Sequence, residues 1–283
     1  MIYYLLLLCL PVVNCCQSIA QKQYNLKYEK TNVILFSAVT SVMALGFFLI
    51  TSGLKLDFNP ALIPYSLAFA VAYSSAWVGT VLAVKYGLMA ISSLIVSCSL
   101  IFPTVYGILL GEPVTAAIIV GMALLLAAIV LVNLKFDKSA KFTWKWFACV
   151  MVAFFGNGVC SISQNMQKRA LGDSYSHEFM IIALAAASVL LLGYAALTSK
   201  DLRGDFRRCL PYSAANGAAN GVINLLMLIL IGNIPNTILY PTNSALNMIA
   251  TFLLAFFAYK ERFSKMQYAG YALGIASIVL LNL

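Results

Sequence analysis

Long stretches without a single charged side chain divide this sequence, and no other feature narrows its possible folds so far. They run over 1–21, 31–54, 58–84, 86–111, 113–134, 146–167, 179–199, 209–259 and 266–283. A helix needs roughly 20 apolar residues to cross a hydrocarbon core about 30 Å thick. All but one of the runs are close to that length. The exception, 209–259, is long enough for two helices, and Gly232-Asn233-Ile234-Pro235-Asn236 punctuates a turn inside it. The pattern predicts an all-α integral membrane protein with ten transmembrane helices, referred to below as spans 1 to 10.

The composition agrees, since 62% of the 283 residues are hydrophobic and 10% charged, where a soluble domain carries about a quarter charged. The first run lacks a basic n-region, contains Asn14 and Gln17, and has no small-residue cleavage site after it. It is expected to be span 1 and not a signal peptide. The seven cysteines lie in or beside spans without the spacings of a zinc site or a disulfide framework, so they read as small apolar fillers. A net charge of +9 could suggest nucleic acid, but the Lys and Arg residues sit in short loops and no basic domain presents them.

The chain repeats itself. Residues 112–134 align with 261–283 at ten identities in 23 positions, including Glu112/Glu261, Gly121/Gly270, Ala127/Ala276 and Asn133/Asn282, where biased composition alone gives roughly two or three. Gln21-Lys22 and Gln167-Lys168 form a weaker echo at the ends of spans 1 and 6. The expected organisation is a five-helix repeat over 1–134, a linker at 135–143 and a second five-helix repeat over 144–283. Five is odd, so the second copy enters the membrane from the opposite side. Such inverted-topology repeats provide alternating access, because the two halves can exchange slightly different packings.

Polar residues inside the spans lie on helical faces. Asn14, Gln17, Ser18 and Gln21 share one side of span 1, and Asn157, Ser161, Gln164 and Lys168 one side of span 6. Span 8 carries Asn216, Asn220 and Asn224; span 9 carries Tyr240, Asn243 and Asn247; span 3 adds Tyr73, Trp77 and Thr80. A carboxamide facing lipid would lose several kcal/mol, so these faces must meet each other or water. Any one of them could be interhelical glue, worth about 0.6 kcal/mol per hydrogen bond. Five converging faces point instead to a central polar cavity. Asn14, Gln17, Gln164, Asn220, Asn243 and Asn247 are the expected hydrogen-bonding partners of a solute, with Tyr73, Trp77 and Tyr240 as its walls.

Small residues in spans 5 and 10, among them Gly121, Gly270 and Gly274, and Gly217 and Gly221 in span 8, read as close helix contacts. Pro103 and Pro241 each remove a backbone hydrogen bond and invite a bend. No Asp, Glu, His, Lys or Arg lies centrally in any span, which argues against proton coupling through a buried carboxylate. Glu112 and Glu261 read as structural caps at span ends. The only histidine, His177, is expected in the loop before span 7, facing solvent. The residues hold no paired acids, histidine pair or metal site for an intramembrane hydrolase and no phosphate-binding Gly-Lys-Ser/Thr loop for a pump. The chain is therefore not expected to be an enzyme, and no cofactor is expected. A channel or receptor is the remaining alternative class.

Span 4 closing on Gly111-Glu112-Pro113-Val114 before Gly121-Met122-Ala123-Leu124, and span 9 closing on Lys260-Glu261-Arg262-Phe263 before Gly270-Tyr271-Ala272-Leu273, resemble the drug/metabolite transporter superfamily in its ten-helix EamA-like branch. The resemblance covers the whole chain. It implies a secondary transporter, usually a metabolite exporter, with a cavity lined by spans 1, 3, 4, 6, 8 and 9. The related four-helix small multidrug resistance proteins use a glutamate in their first helix, where this chain has Asn14 and Gln17. The family picture also places both termini in the cytoplasm. Here the loops after odd-numbered spans hold 15 Lys and Arg against 3 elsewhere, and the positive-inside rule puts both termini outside.

The expectation is a multi-pass plasma-membrane transporter for a small neutral or zwitterionic, amino-acid-like solute, monomeric or homodimeric, with no nucleic-acid partner. A sugar or nucleotide-sugar carrier is the alternative. Phosphate would want cations in the cavity, and only Lys22, Lys85 and Lys168 near span ends could supply them.

Overall fold

The computed structural model describes residues 2–28, 32–53, 56–86, 92, 95–133, 143–199, 201–258, 260 and 263–283. Glu261 and residues 135–142 of the expected linker lie outside the described residues. In chain order the helices are α1 (Ile2–Lys27), α2 (Val33–Thr51), α3 (Ile63–Tyr86), α4 (Ile101–Leu109), α5 (Ala116–Asn133), α6 (Trp144–Leu171), α7 (Ser176–Thr198), α8 (Leu202–Leu230), α9 (Asn236–Phe257) and α10 (Lys265–Leu281). Seven of these stretches are long and apolar enough to cross a membrane: α1, α2, α3, α6, α7, α8 and α9. Shorter apolar helices cover Ile95–Leu109 and Ala116–Val132. Among the described residues no strand forms, only an isolated bridge between Ile231 and Ile234. Helices satisfy their backbone groups internally, as hydrocarbon requires.

The helix ends follow from local chemistry. Asn32 caps α2 by accepting from the amides of Ile34 and Leu35 at 3.0 and 3.2 Å, and Ser264 with Gln267 forms a capping box on α10. The long run 209–259 breaks as expected: α8 stops at Leu230, Gly232 takes a φ of 84°, and Pro235 precedes α9. Before α4 the chain forms a 3-10 turn over Cys98–Leu100. Pro103 offers no N–H to the Ser99 carbonyl, so the regular ladder is interrupted there. His177 departs from expectation. It sits in the first turn of α7, half-buried, with its ring 5.9 Å from that of Phe48, because the link from α6 is only Gly172 and a single 3-10 turn.

Packing crosses the middle of the chain repeatedly. α3 lies along α6 and α1 along α8; α2 packs on α7 and α8, and α3 also on α7; α4 meets α6 and α9; α1 meets α9; α5 lies along α10. Missing Cβ atoms make several of these approaches possible. A Cβ on Gly79 would stand 2.8 Å from the Cys149 carbonyl oxygen, and one on Gly156 would stand 2.7 Å from that of Ala72, so α3 and α6 touch backbone to backbone. Gly217 and Gly221 fit against Thr40, Met43 and Phe47 of α2, while Gly121 and Gly270 are filled by Leu281 and Val132 across the α5–α10 pair. The small residues of α5 and α10 thus serve contacts within one chain. Large apolar side chains such as Ile50, Val71, Val189 and Leu197 face outward, as a lipid-facing surface demands.

Candidate functional site

Among the described residues, two cavities with polar, uncharged linings lie between the helices. The larger, 540 Å³, is lined by Ser97, Ser99, Asn157, Ser161, Tyr240, Asn243, Ser244, Asn247 and Thr251, with Leu100, Ile129, Val132, Met248 and Tyr271 as apolar wall. The smaller, 370 Å³, is lined by Gln17, Ser18, Gln21, Tyr73, Ala76, Trp77, Thr80, Asn157 and Asn220. Asn157 belongs to both. It stands one residue beyond Gly156, and the close α3–α6 contact fixes its height on α6. Among the described residues, neither lining includes a charged side chain.

Hydrogen-bonded ladders of carboxamides hold the walls. Asn14 donates to Asn247 at 2.9 Å, and Asn247 donates to Asn243 at 3.1 Å, tying α1 to α9. The ladder ends there, with the Asn243 Nδ2 lacking a protein acceptor among the described residues. Gln164 donates to Asn224 at 3.0 Å and Asn224 to the Asn220 side chain at 3.1 Å, tying α6 to α8. Again the last amide, Asn220 Nδ2, has no protein partner among the described residues. Gln17 donates to Asn216 Oδ1 at 3.2 Å while Asn216 donates to the Gln17 carbonyl at 3.0 Å. That leaves Gln17 Oε1 free. Asn157 spends its Nδ2 on the Ala153 carbonyl at 3.0 Å and keeps its Oδ1 free. These four side chains leave two amide donors and two amide oxygens open to a guest, and Gln21 adds a further neutral amide to the smaller lining. Tyr73 and Trp77 form an aromatic wall, their rings 6.4 Å apart and steeply inclined.

Of the residues the sequence singled out, Gln17, Tyr73, Trp77 and Asn220 meet in the smaller cavity and Tyr240, Asn243 and Asn247 in the larger. Asn14 and Gln164 line neither, and act behind Asn247 and Asn224. Asn157, Asn216 and Asn224 lay on the recognised polar faces without being chosen. Asn165 had no signal at all: it is 1% exposed and donates to the Tyr240 hydroxyl at 2.8 Å. Ser18 and Ser161 lay on the recognised faces, but Ser97, Ser99 and Ser244 gave no warning, because a helical hydroxyl can bond its own backbone, as Ser161 does with the Asn157 carbonyl at 3.3 Å.

Residues 144–283 match the sequence model of the EamA-like transporter family. No curated protein matches the chain by sequence. Its fold is similar to that of a solved protein, titled only as a crystal structure of a protein, with a TM-score of 0.77 over 99% of this chain and 98% of the other at 14% identity.

Proposed function

We propose that this chain, whose residues 144–283 match the EamA-like transporter family, is a multi-pass membrane transporter of drug/metabolite type, a secondary transporter carrying a small neutral or zwitterionic polar solute by alternating access. The observation that carries the reading is a pair of cavities sharing Asn157, whose linings among the described residues are polar and uncharged and present open amide groups at Gln17, Asn157, Asn220 and Asn243. A charged solute would lose its hydration there without an opposite charge to replace it.

The proposed architecture is ten spans in two inverted repeats, 1–134 and 144–283. The family match begins at residue 144, after α5 and at the start of α6. The packing pattern supports the repeat too. Shifting every helix number by five turns α3–α6 into α8–α1, α2–α8 into α7–α3 and α1–α9 into α6–α4. The same shift returns α2–α7, α4–α9 and α5–α10 to themselves. Those pairings are the ones a two-fold axis relating the halves would give. The plasma membrane, with both termini outside, is the proposed location, from the distribution of Lys and Arg.

A neutral sugar is the second reading, favoured by the hydroxyls of Ser97, Ser99, Ser161, Ser244 and Thr251 around the larger cavity. A phosphate-bearing sugar fits less well, since no cation among the described residues lines either space. A thermal-shift screen of the purified protein separates these. A bound solute at 100 times its Kd stabilises by about 2.7 kcal/mol, so neutral amino acids or sugars should raise the unfolding temperature unchanged in chemistry. Stabilisation by phosphorylated or doubly charged solutes alone contradicts the reading.

A further inference from the structure

A third space of 400 Å³ lies beyond the larger cavity, lined by Glu112, Asn165, Lys168 and Arg169 with Ile231 to Asn236 of the α8–α9 turn. Asn165 lines this pocket and Tyr240 lines the cavity, and the 2.8 Å hydrogen bond between their side chains links the two linings. At its far end the cavity reaches Val132, Thr251 and Tyr271, so it runs along α9 away from Tyr240.

What positions Tyr240 is the first turn of α9, and a carboxylate holds that turn. Glu112, after α4, accepts from Asn236 Nδ2 on Oε1 at 2.8 Å and from the Thr237 amide on Oε2 at 3.0 Å. Both bonds join the two halves of the chain. The second satisfies a helix N-terminal amide, and a carboxylate there also meets the positive end of the helix dipole. The fit is close: a Cβ on Gly107 would stand 2.4 Å from Glu112 Oε2 and 2.9 Å from Asn236 Cβ. On the opposite side of the pocket, Lys168 donates to the Leu228 carbonyl at 2.8 Å and pairs with Asp173, which anchors α6 to the end of α8.

We infer that the 400 Å³ pocket is the outer vestibule of the solute route, that the Asn165–Tyr240 pair is its closed gate, and that Glu112 is the latch holding the gate shut through the start of α9. The inference rests on the transporter reading for its purpose but not for its test. Releasing Glu112 frees α9 to carry Tyr240 away from Asn165, which joins the vestibule to the cavity. Glu112 touches no solute in this scheme and acts as a positioning residue.

The test is accessibility of a cavity-lining reporter, Ser244→Cys, to a membrane-impermeant maleimide in sealed vesicles, with the seven native cysteines replaced by alanine. With Glu112 intact, labelling from the vestibule side should be slow. Glu112→Gln and Asn236→Ala, each removing one half of the latch, should each raise that rate by about tenfold or more, as expected when charge-assisted bonds holding one state are lost. Glu261→Gln removes the same charge beyond the other end of α9 and should leave the rate unchanged. Unaltered labelling in both latch variants, with a cooperative melt showing them folded, makes Glu112 a helix cap alone and overturns the inference. An equal rise in Glu261→Gln overturns it as well. No solute is involved, so a chain that transports nothing yet opens on Glu112→Gln would defeat the transporter reading and leave the latch standing.

Discussion

Asn157→Leu is expected to lower solute flux by about tenfold or more while the protein stays folded. Asn157 is shared by both cavities, and its one side-chain bond, Nδ2 to the Ala153 carbonyl at 3.0 Å, runs along its own helix. That carbonyl is already placed to accept from the α6 backbone, so losing the side-chain donor strands nothing. Leucine is of similar size and a better helix former. What disappears is the free Oδ1 at the junction. A solute passing there would leave one polar group unpaired, at a cost of about 1–3 kcal/mol, and 1.4 kcal/mol is about a factor of ten. Flux and unfolding temperature measured on the same preparation check both halves. Normal flux in the variant would remove Asn157 from the pathway.

Gly156→Val should have the largest effect on stability. The Cβ position at Gly156 stands 2.7 Å from the Ala72 carbonyl oxygen and 3.0 Å from the Ala76 amide nitrogen, and Gly79 meets α6 in the same fashion with 2.8 and 2.9 Å to Cys149 and Ala153 backbone atoms. Backbone atoms cannot rotate aside as a side-chain tip does, so α3 and α6 must separate along their shared length. Overpacking of this kind costs about 1–3 kcal/mol or more. Gly193→Ala is the matched control, because a Cβ there meets nothing within 4 Å and alanine is about 1 kcal/mol better than glycine inside a helix. Thermal unfolding in one detergent should move down for Gly156→Val and stay level or rise for Gly193→Ala. Equal shifts would mean that the α3–α6 contact is not close-packed in solution.

Much of this was legible in the sequence, for identifiable reasons. Charge is too costly in hydrocarbon to hide, so the runs between charged residues marked the helices, and Gly232 with Pro235 marked the break between α8 and α9. The carboxamide faces were legible by the same logic, since Asn14, Gln17, Asn220, Asn243 and Asn247 had to point at something polar. Which amide touches the cavity and which braces another was not legible. Asn14 shares α1 with the lining Gln17 and Gln164 shares α6 with the lining Asn157, so what separates them is height along the helix, which depends on where helices cross, as α3 and α6 do at Gly156. Asn165 was hidden because periodicity weighs a face and cannot see that one side chain reaches across to the Tyr240 hydroxyl. Glu112 was read as a cap near its own helix end. Its partners are 124 and 125 residues away at the start of α9, and no local pattern carries that information. The 3-10 turn before Pro103 and the position of His177 depended on loop lengths that a hydropathy reading resolves only coarsely.

The most direct measurement is flux of labelled neutral amino acids and sugars through proteoliposomes, comparing the native chain with Gln17→Ala in the smaller cavity and Asn243→Ala in the larger. The account predicts that one neutral solute crosses on the native protein and that each substitution, made in a different cavity, cuts that flux by about tenfold with the fold retained. If no neutral solute crosses, or if the solute that crosses is unaffected by both substitutions, the two cavities are interhelical packing and the pathway lies elsewhere.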